Sequence, residues 1–305
     1  MLTANDYYRS RFGGKVYRIS LNGGMSCPNR DGTIDTKGCI FCSRGGSGDF
    51  AAPATLSVTE QLSVAKQKVA AKLPKDKASF AGYLAYFQAF TNTYAPTAYL
   101  KQLFEEALAD PEVVGLSIAT RPDCLPQDCI DLLASLNKQK PFYVELGLQT
   151  IHEETATFIR RGYPLEVYDT AVTRLQAVGI PVITHVILGL PKETPSDMIA
   201  TVRHVVKGNV HGIKLQLLHV LKDTDLADYY RTADSSEFAC MSLDAYMDIL
   251  FTLLPLIPED TVIYRLTGDG PKRSLIAPLW SGDKKTVLNT LRQRMERSSL
   301  CNPKC

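Results

Sequence analysis

The chain has 305 residues, of which 45% are apolar, and a formal net charge of +2. That apolar fraction excludes a disordered chain and suits one large domain, or a domain with an extension, while so small a charge argues neither for nor against a nucleic-acid partner. No apolar run reaches the roughly 18 residues of a membrane span, and MLTANDYYRSRFGG at the N-terminus lacks the apolar segment of a secretory signal, so a cytoplasmic protein without membrane contact is expected.

In chain order, KVYRISLN (15–22) reads as a strand and is followed by a cysteine-bearing loop. SVTEQLSVAKQKVAAKL (57–73) reads as a helix, with Ser57 and Glu60 spaced as a capping box. FAGYLAYFQ (80–88) is a strand, PTAYLKQLFEEALAD (96–110) a helix, VVGLSIAT (113–120) a strand and LPQDCIDLLASLNK (125–138) a helix. PFYVELGLQ (141–149) is a strand, followed by helical EETATFIRR (153–161) and LEVYDTAVTRLQAVG (165–179). PVITHVILG (181–189) is a strand, PSDMIATVRHVVKG (195–208) a helix, and HGIKLQLLHV (211–220) a sixth strand. Six strands joined by helical crossovers imply parallel pairing. Beyond Asp223 the rhythm loosens: a helix at 242–258, a strand and Gly-rich turn at 260–271, and a last helix at 283–298. We read 1–222 as the core and 223–305 as an extension packed on it.

Strand residues alternate between faces. Phe142, Val144, Leu146 and Leu148 share one face, and Tyr143, Glu145, Gly147 and Gln149 the other. Arg18 groups with Ser20 and Asn22, His185 with Ile187 and Gly189, and Lys214 with Gln216. The apolar faces suit outer helices. The polar faces would meet inside a curved sheet, either around a ligand or satisfying one another.

Eight cysteines in a chain of this size, without a secretory signal, point to a reducing compartment and to metal or redox chemistry for any tight group. In CPNRDGTIDTKGCIFC, eleven residues separate Cys27 from Cys39, and Ile40 and Phe41 separate Cys39 from Cys42. Three thiolates would leave one iron of a four-iron cluster open. A structural zinc site would need a fourth protein ligand, which the neighbouring sequence does not offer. Glycines at 23, 24, 32, 38, 45 and 46 let the backbone of the loop 23–46 wrap closely, and Phe41 gives apolar cover.

Here the sequence resembles the radical SAM superfamily, in which three cysteines ending in CxxC, an aromatic residue before the last, follow the first barrel strand. The long first gap resembles the branch containing the elongator catalytic subunit. YFQAFTNTYAP, ATRPDCL, VELGLQT, RRGY, HVILGLPKET, IKLQLLHVLKDT and the late RLTGDGP and LIAPLW stretches are similar to YhcC/YtqA-type radical SAM proteins over essentially the whole length.

The resemblance implies an α/β fold: a partial (β/α)6 TIM-like radical SAM barrel with a C-terminal α/β extension. It implies a 4Fe-4S cluster on Cys27, Cys39 and Cys42, chelated at its open iron by S-adenosylmethionine (SAM). Reductive cleavage would then give a 5′-deoxyadenosyl radical, with flavodoxin or ferredoxin as reductant. The family's Gly-Gly-Glu stretch is replaced by QAFTN, where Gln88, Thr91 and Asn92 offer hydrogen bonds instead. Glu145 and Gln149 match positions that reach SAM, Arg161 one that pairs with a carboxylate, and the backbone of Ile187, Leu188, Gly189 and Leu190 the adenine contact.

Arg121 and Asp123 either clamp each other or face substrate, and His185 is either structural or catalytic; these three are the catalytic candidates. Lys214, His219 and Arg265 are candidates for the substrate end. Cys124 and Cys129 read as small core residues and Cys240 as inert, while Cys301 and Cys305 could be a metal or redox pair. The elongator-like branch points to tRNA, which Lys284, Lys285, Arg292, Arg294 and Arg297 of the last helix could touch unless they form only a solvated face. The alternatives are a small-molecule substrate and a non-catalytic zinc module.

Overall fold

In the computed structural model, residues 1–46, 48, 51–235, 237–268, 270 and 272–297 are described, apart from the side chain of Lys77. The chain opens with β1 (Leu2–Thr3), α1 (Ala4–Phe12) and β2 (Lys15–Leu21). Then come α2 (Val58–Ala70), β3 (Phe80–Phe87), α3 (Thr97–Ala109), β4 (Val113–Thr120), α4 (Gln127–Asn137) and β5 (Phe142–Gln149). They are followed by α5 (Glu153–Phe158), α6 (Leu165–Ala177), β6 (Val182–Leu188), α7 (Pro195–Lys207) and β7 (Gly212–Leu217). The remainder is β8 (Val220–Leu221), α8 (Asp225–Thr232), α9 (Leu243–Leu253), β9 (Val262–Arg265), β10 (Leu275–Ala277) and α10 (Lys284–Arg297).

One sheet has the order β1-β9-β7-β6-β5-β4-β3-β2, and every pairing in it is parallel. The six expected strands thus lie side by side, each joined to the next through helix, as parallel pairing requires. The sheet curls into a half-barrel with helices around it. Its convex side buries Phe142, Val144, Leu146 and Leu148 of β5 in one apolar core with residues of α3, α4, α6 and α7, including Phe104, Leu133, Leu175 and Val202. Burying each such side chain contributes about 2 kcal/mol. Ser57 and Glu60 do form the capping box of α2, and Thr194 with Asp197 forms a second at α7, where Pro195 takes the first turn.

Four features differ from the sequence reading. The stretch 211–220 is not one strand: β7 ends at Leu217 after a last bond from the Leu218 amide to the Leu188 carbonyl of β6 at 3.0 Å, and β8 pairs with β10 in a separate antiparallel ribbon. The late strand β9 does not stay with the extension but joins the main sheet beside β7, with β1 beyond it. The helix expected at 153–161 stops at Phe158, because Arg160 and Gly162 take positive φ. α1, which the sequence reading passed over, is capped by Thr3 and by left-handed Gly13. Tyr8 of α1 is buried against Tyr143 and Ile183, with Tyr7 and Tyr264 beside them, and this aromatic plug forms a separate core cluster.

Candidate active site

The cysteine loop leaves the C-terminal end of β2, the end at which α/β enzymes gather their loops. The amides of Arg30 and Asp31 return to the Cys27 carbonyl at 2.8 and 3.2 Å, and the Cys42 amide to the Cys39 carbonyl at 3.0 Å. Arg30 donates to the carbonyls of Cys42 and Ser43 at 2.9 and 2.8 Å, closing the loop on itself. Buried Asn29 fastens it to the barrel by donating to the Arg160 carbonyl at 2.7 Å, with its amide nitrogen 3.5 Å from Cys39 Sγ. Gly162 is required here: its φ is +82°, and a Cβ would lie 2.6 Å from Asn29 Oδ1. Neither Asn29 nor Arg30 was singled out from sequence; the Pro-Asn-Arg following the first cysteine was the available signal.

All three cysteines line one chamber of about 160 Å³. Burial and the neighbouring Cys42 push the Cys39 thiol up to about 12, so holding it as a thiolate would take a bound cation. Among the described residues, no three His, Cys, Asp or Glu side chains converge where a single metal ion could be held. Single-ion zinc needs four donors about 2–2.3 Å from one point, whereas a cluster takes each thiolate on a different iron. Three cysteines around one chamber suit a group that takes each thiolate on a different iron.

The opposite wall holds Glu145, whose side chain is fully buried. It accepts from Arg18 at 2.5 Å, Ser117 at 2.6 Å and His185 at 2.7 Å, and from Lys214. Though burial opposes it, the combined pull of Arg18, Lys214 and His185 holds this carboxyl well below its ordinary value. Burial and Lys214 push His185 down to about 4, so near neutral pH it is an uncharged donor. The Arg18 guanidinium lies 3.4 Å from the Tyr86 ring centroid and the Lys214 ammonium 4.9 Å from it. The inward face expected for Arg18, Glu145, His185 and Lys214 thus exists, and its members gather around a single acid.

The other candidates divide. Gln88 and Thr91 line the cysteine chamber, whereas buried Asn92 donates to the Ala119 carbonyl at 2.9 Å and braces β4. Gln149 lines the chamber at φ 69°, after a register irregularity in β5 that re-aims it. Arg161 also lines it, but its guanidinium donates to the carbonyls of Tyr163 at 2.9 Å, Leu148 at 3.3 Å and Thr150 at 2.6 Å and to Glu153 at 3.0 Å. The carboxylate it pairs with inside the protein is therefore that of Glu153.

Arg121 and Asp123 form a two-pronged pair at 2.9 and 2.7 Å. Ile187 faces a second chamber of about 540 Å³, which shares Phe41, Tyr86, Gln88 and His185 with the first and also takes in Lys214, His219 and Arg265. Leu188 packs in the outer core, Leu190 in the cluster around Phe238, and Gly189 against Met241. Cys124 and Cys129 are buried and Cys240 half-buried; Cys301 and Cys305 lie outside the described residues. In the last helix, Arg294 is paired with Asp244 at 2.8 Å and with Asp248. No described helix is long and apolar enough to cross a membrane.

A cleft of about 1030 Å³ between the cysteine loop and α6 is larger than either chamber; prolines, other apolar residues and the polar Asp123, Glu166 and Arg174 line it, and none of the three cysteines does. Size alone does not mark it as the reaction site.

Residues 32–205 match the family model described as the Radical SAM superfamily, and residues 210–297 that described as the Radical_SAM C-terminal domain. The uncharacterized protein YtqA of Bacillus subtilis is 44% identical over 294 residues, 96% of this chain and 89% of the relative. Elongator complex protein 3 of Schizosaccharomyces pombe is 25% identical over 189 residues, 60% of this chain and 34% of that protein's length. Among solved structures, an archaeal Elp3 from Methanocaldococcus infernus superposes with a TM-score of 0.68 at 16% identity, covering 93% of this chain and 63% of that one. At that identity the superposition speaks for the fold.

Proposed function

The chain belongs to the radical SAM superfamily, and from that premise we propose that it is a tRNA-modifying radical SAM enzyme working in the two joined chambers. The enzyme class follows from the family, as does the need for a 4Fe-4S cluster, SAM and a reductant. The residue roles, the tRNA substrate, flavodoxin or ferredoxin as the reductant and the division into a core (1–222) and an extension (223–305) are our own reading.

The observation that carries it is the grouping of Cys27, Cys39 and Cys42 with Gln88, Glu145, Gln149 and His185 around one cavity. The chemistry that such a cluster supplies, once bound, is one-electron reduction of SAM, yielding methionine and a 5′-deoxyadenosyl radical. The three cysteines hold it. Gln88, Thr91 and Gln149 offer amide and hydroxyl groups to the polar end of SAM. Arg161 acts as a positioning residue: by fixing the turn after β5 it sets where Gln149 points. Uncharged His185 stands at the passage between the chambers, held by the Glu145 carboxylate on the cysteine side. Phe41 and Tyr86 wall that passage with apolar surface and so help to keep water from the reacting atoms.

Similarity to Elongator complex protein 3 supports tRNA as the substrate, together with the exposed cations Lys284, Lys285, Arg292 and Arg297 on α10. Anaerobically reconstituted protein given SAM and a reductant should release 5′-deoxyadenosine, and tRNA nucleosides from cells lacking the gene should miss or accumulate one species. Absence of 5′-deoxyadenosine under every condition, tRNA included, sinks the enzyme reading. Unchanged nucleosides with an altered metabolite move the substrate to a small molecule.

A further inference from the structure

We infer that the second chamber seats an anionic group of the substrate, a phosphate or a carboxylate, on Lys214 and Arg265. This rests on the enzyme reading only for the word substrate; the seat itself is a property of the chain. The chamber, about 540 Å³, is of ordinary small-ligand size and is walled by β2, β3, β6, β7 and β9. Arg18, Lys72, Lys214 and Arg265 line it, and no Asp or Glu does among the described residues. Asp269, between the lining residues Gly268 and Gly270, lies outside the described residues.

The charge arrangement asks for an anion. Glu145 pairs with both Arg18 and Lys214, so its single charge already serves two cations. Lys214 is 2% exposed, so beside the Tyr86 ring its share of that charge is what compensates a cation removed from water. Burial and Arg18 together hold its ammonium well below the ordinary lysine value, a strain that a second anion would relieve. The Arg18 Nε is buried without an acceptor. Arg265, at the end of β9, has no carboxylate partner among the described residues and is an exposed residue of the chamber wall. Because β9 comes from the extension and pairs with β7, Arg265 is held opposite Lys214 by sheet register. The cysteines lie in the adjoining chamber, across Gln88 and His185, so the anion sits apart from the cluster ligands.

The test uses the full chain carrying its oxidised cluster, in sodium chloride of matched ionic strength, with inorganic phosphate or acetate added separately, with and without saturating SAM. The melting temperature should rise saturably with at least one anion. The rise should persist in SAM, vanish in Arg265→Gln and remain in Arg203→Gln, an exposed position on α7. A response to phosphate alone assigns a phosphorylated substrate, and to acetate alone a carboxylate. No response to either anion, an unchanged response in Arg265→Gln, or a response abolished by SAM (marking the seat of SAM's own carboxylate) overturns the inference. Loss of SAM cleavage with the anion response intact would remove the enzyme reading and leave the seat standing.

Discussion

The two faces of the half-barrel are made by the same strands and do opposite work. On β5, Val144, Leu146 and Leu148 are fully buried in the helix-covered core, while Glu145, one residue away from two of them, gathers Arg18, Ser117, His185 and Lys214 inside the barrel. The outer face is held by buried apolar area in close-packed contact. The inner face is held by charge around one carboxylate, where the loss of a single partner leaves others unsatisfied. The two faces thus fail in different ways, and substitutions can separate them.

The largest expected effect is on chemistry alone. Cys39→Ala should abolish 5′-deoxyadenosine formation while the melting temperature of the metal-free chain changes little; a variant that still cleaves SAM would remove Cys39 from the ligand set. Next, Glu145→Gln leaves Arg18 and Lys214 without their acid and should cost about 3–5 kcal/mol in urea unfolding. Adding Lys214→Met should recover a large part of that loss. Equal destabilisation of single and double variants would mean that the inner network is not organised around charge.

On the outer face, Leu146→Ala should cost about 2–5 kcal/mol yet leave SAM cleavage per folded molecule near wild type. Protonation separates the faces more gently. His185 is held at about 4, below its ordinary 6.5, so the unfolded chain binds its proton first. The stability this group confers is complete above pH 6.5 and is lost as pH falls toward 4, by about 1–2 kcal/mol after screening. In His185→Gln the acid-side loss should shrink by that amount; an identical pH profile would show that His185 does not titrate in this window. The smallest effect belongs to the rim: Thr194→Ala removes the cap of α7 and should cost about 1 kcal/mol, with no change in SAM cleavage.

The face alternation on β2, β5, β6 and β7 was legible in the sequence because strand periodicity is local, and so was the cysteine loop, because its spacing is local. The entry of β9 into the main sheet was not, since pairing with β7 is a long-range choice that four residues do not announce. Nor were the destinations of individual polar side chains. Asn92 and Gln88 look alike as amides, but only the fold decides that one braces β4 and the other faces the cavity. Arg161 shows the same limit: its charge suggested a ligand contact, whereas the turn after β5 engages its guanidinium through three carbonyls and Glu153.

The central claim is that Cys27, Cys39 and Cys42 hold an iron–sulfur cluster. The most direct test is metal and acid-labile sulfide analysis of the anaerobically reconstituted chain, beside the three single Cys→Ala variants. The account predicts about four iron and four sulfide per wild-type chain and a sharp loss of both in each variant. One zinc per chain with no sulfide, or full iron loading in all three variants, would contradict it.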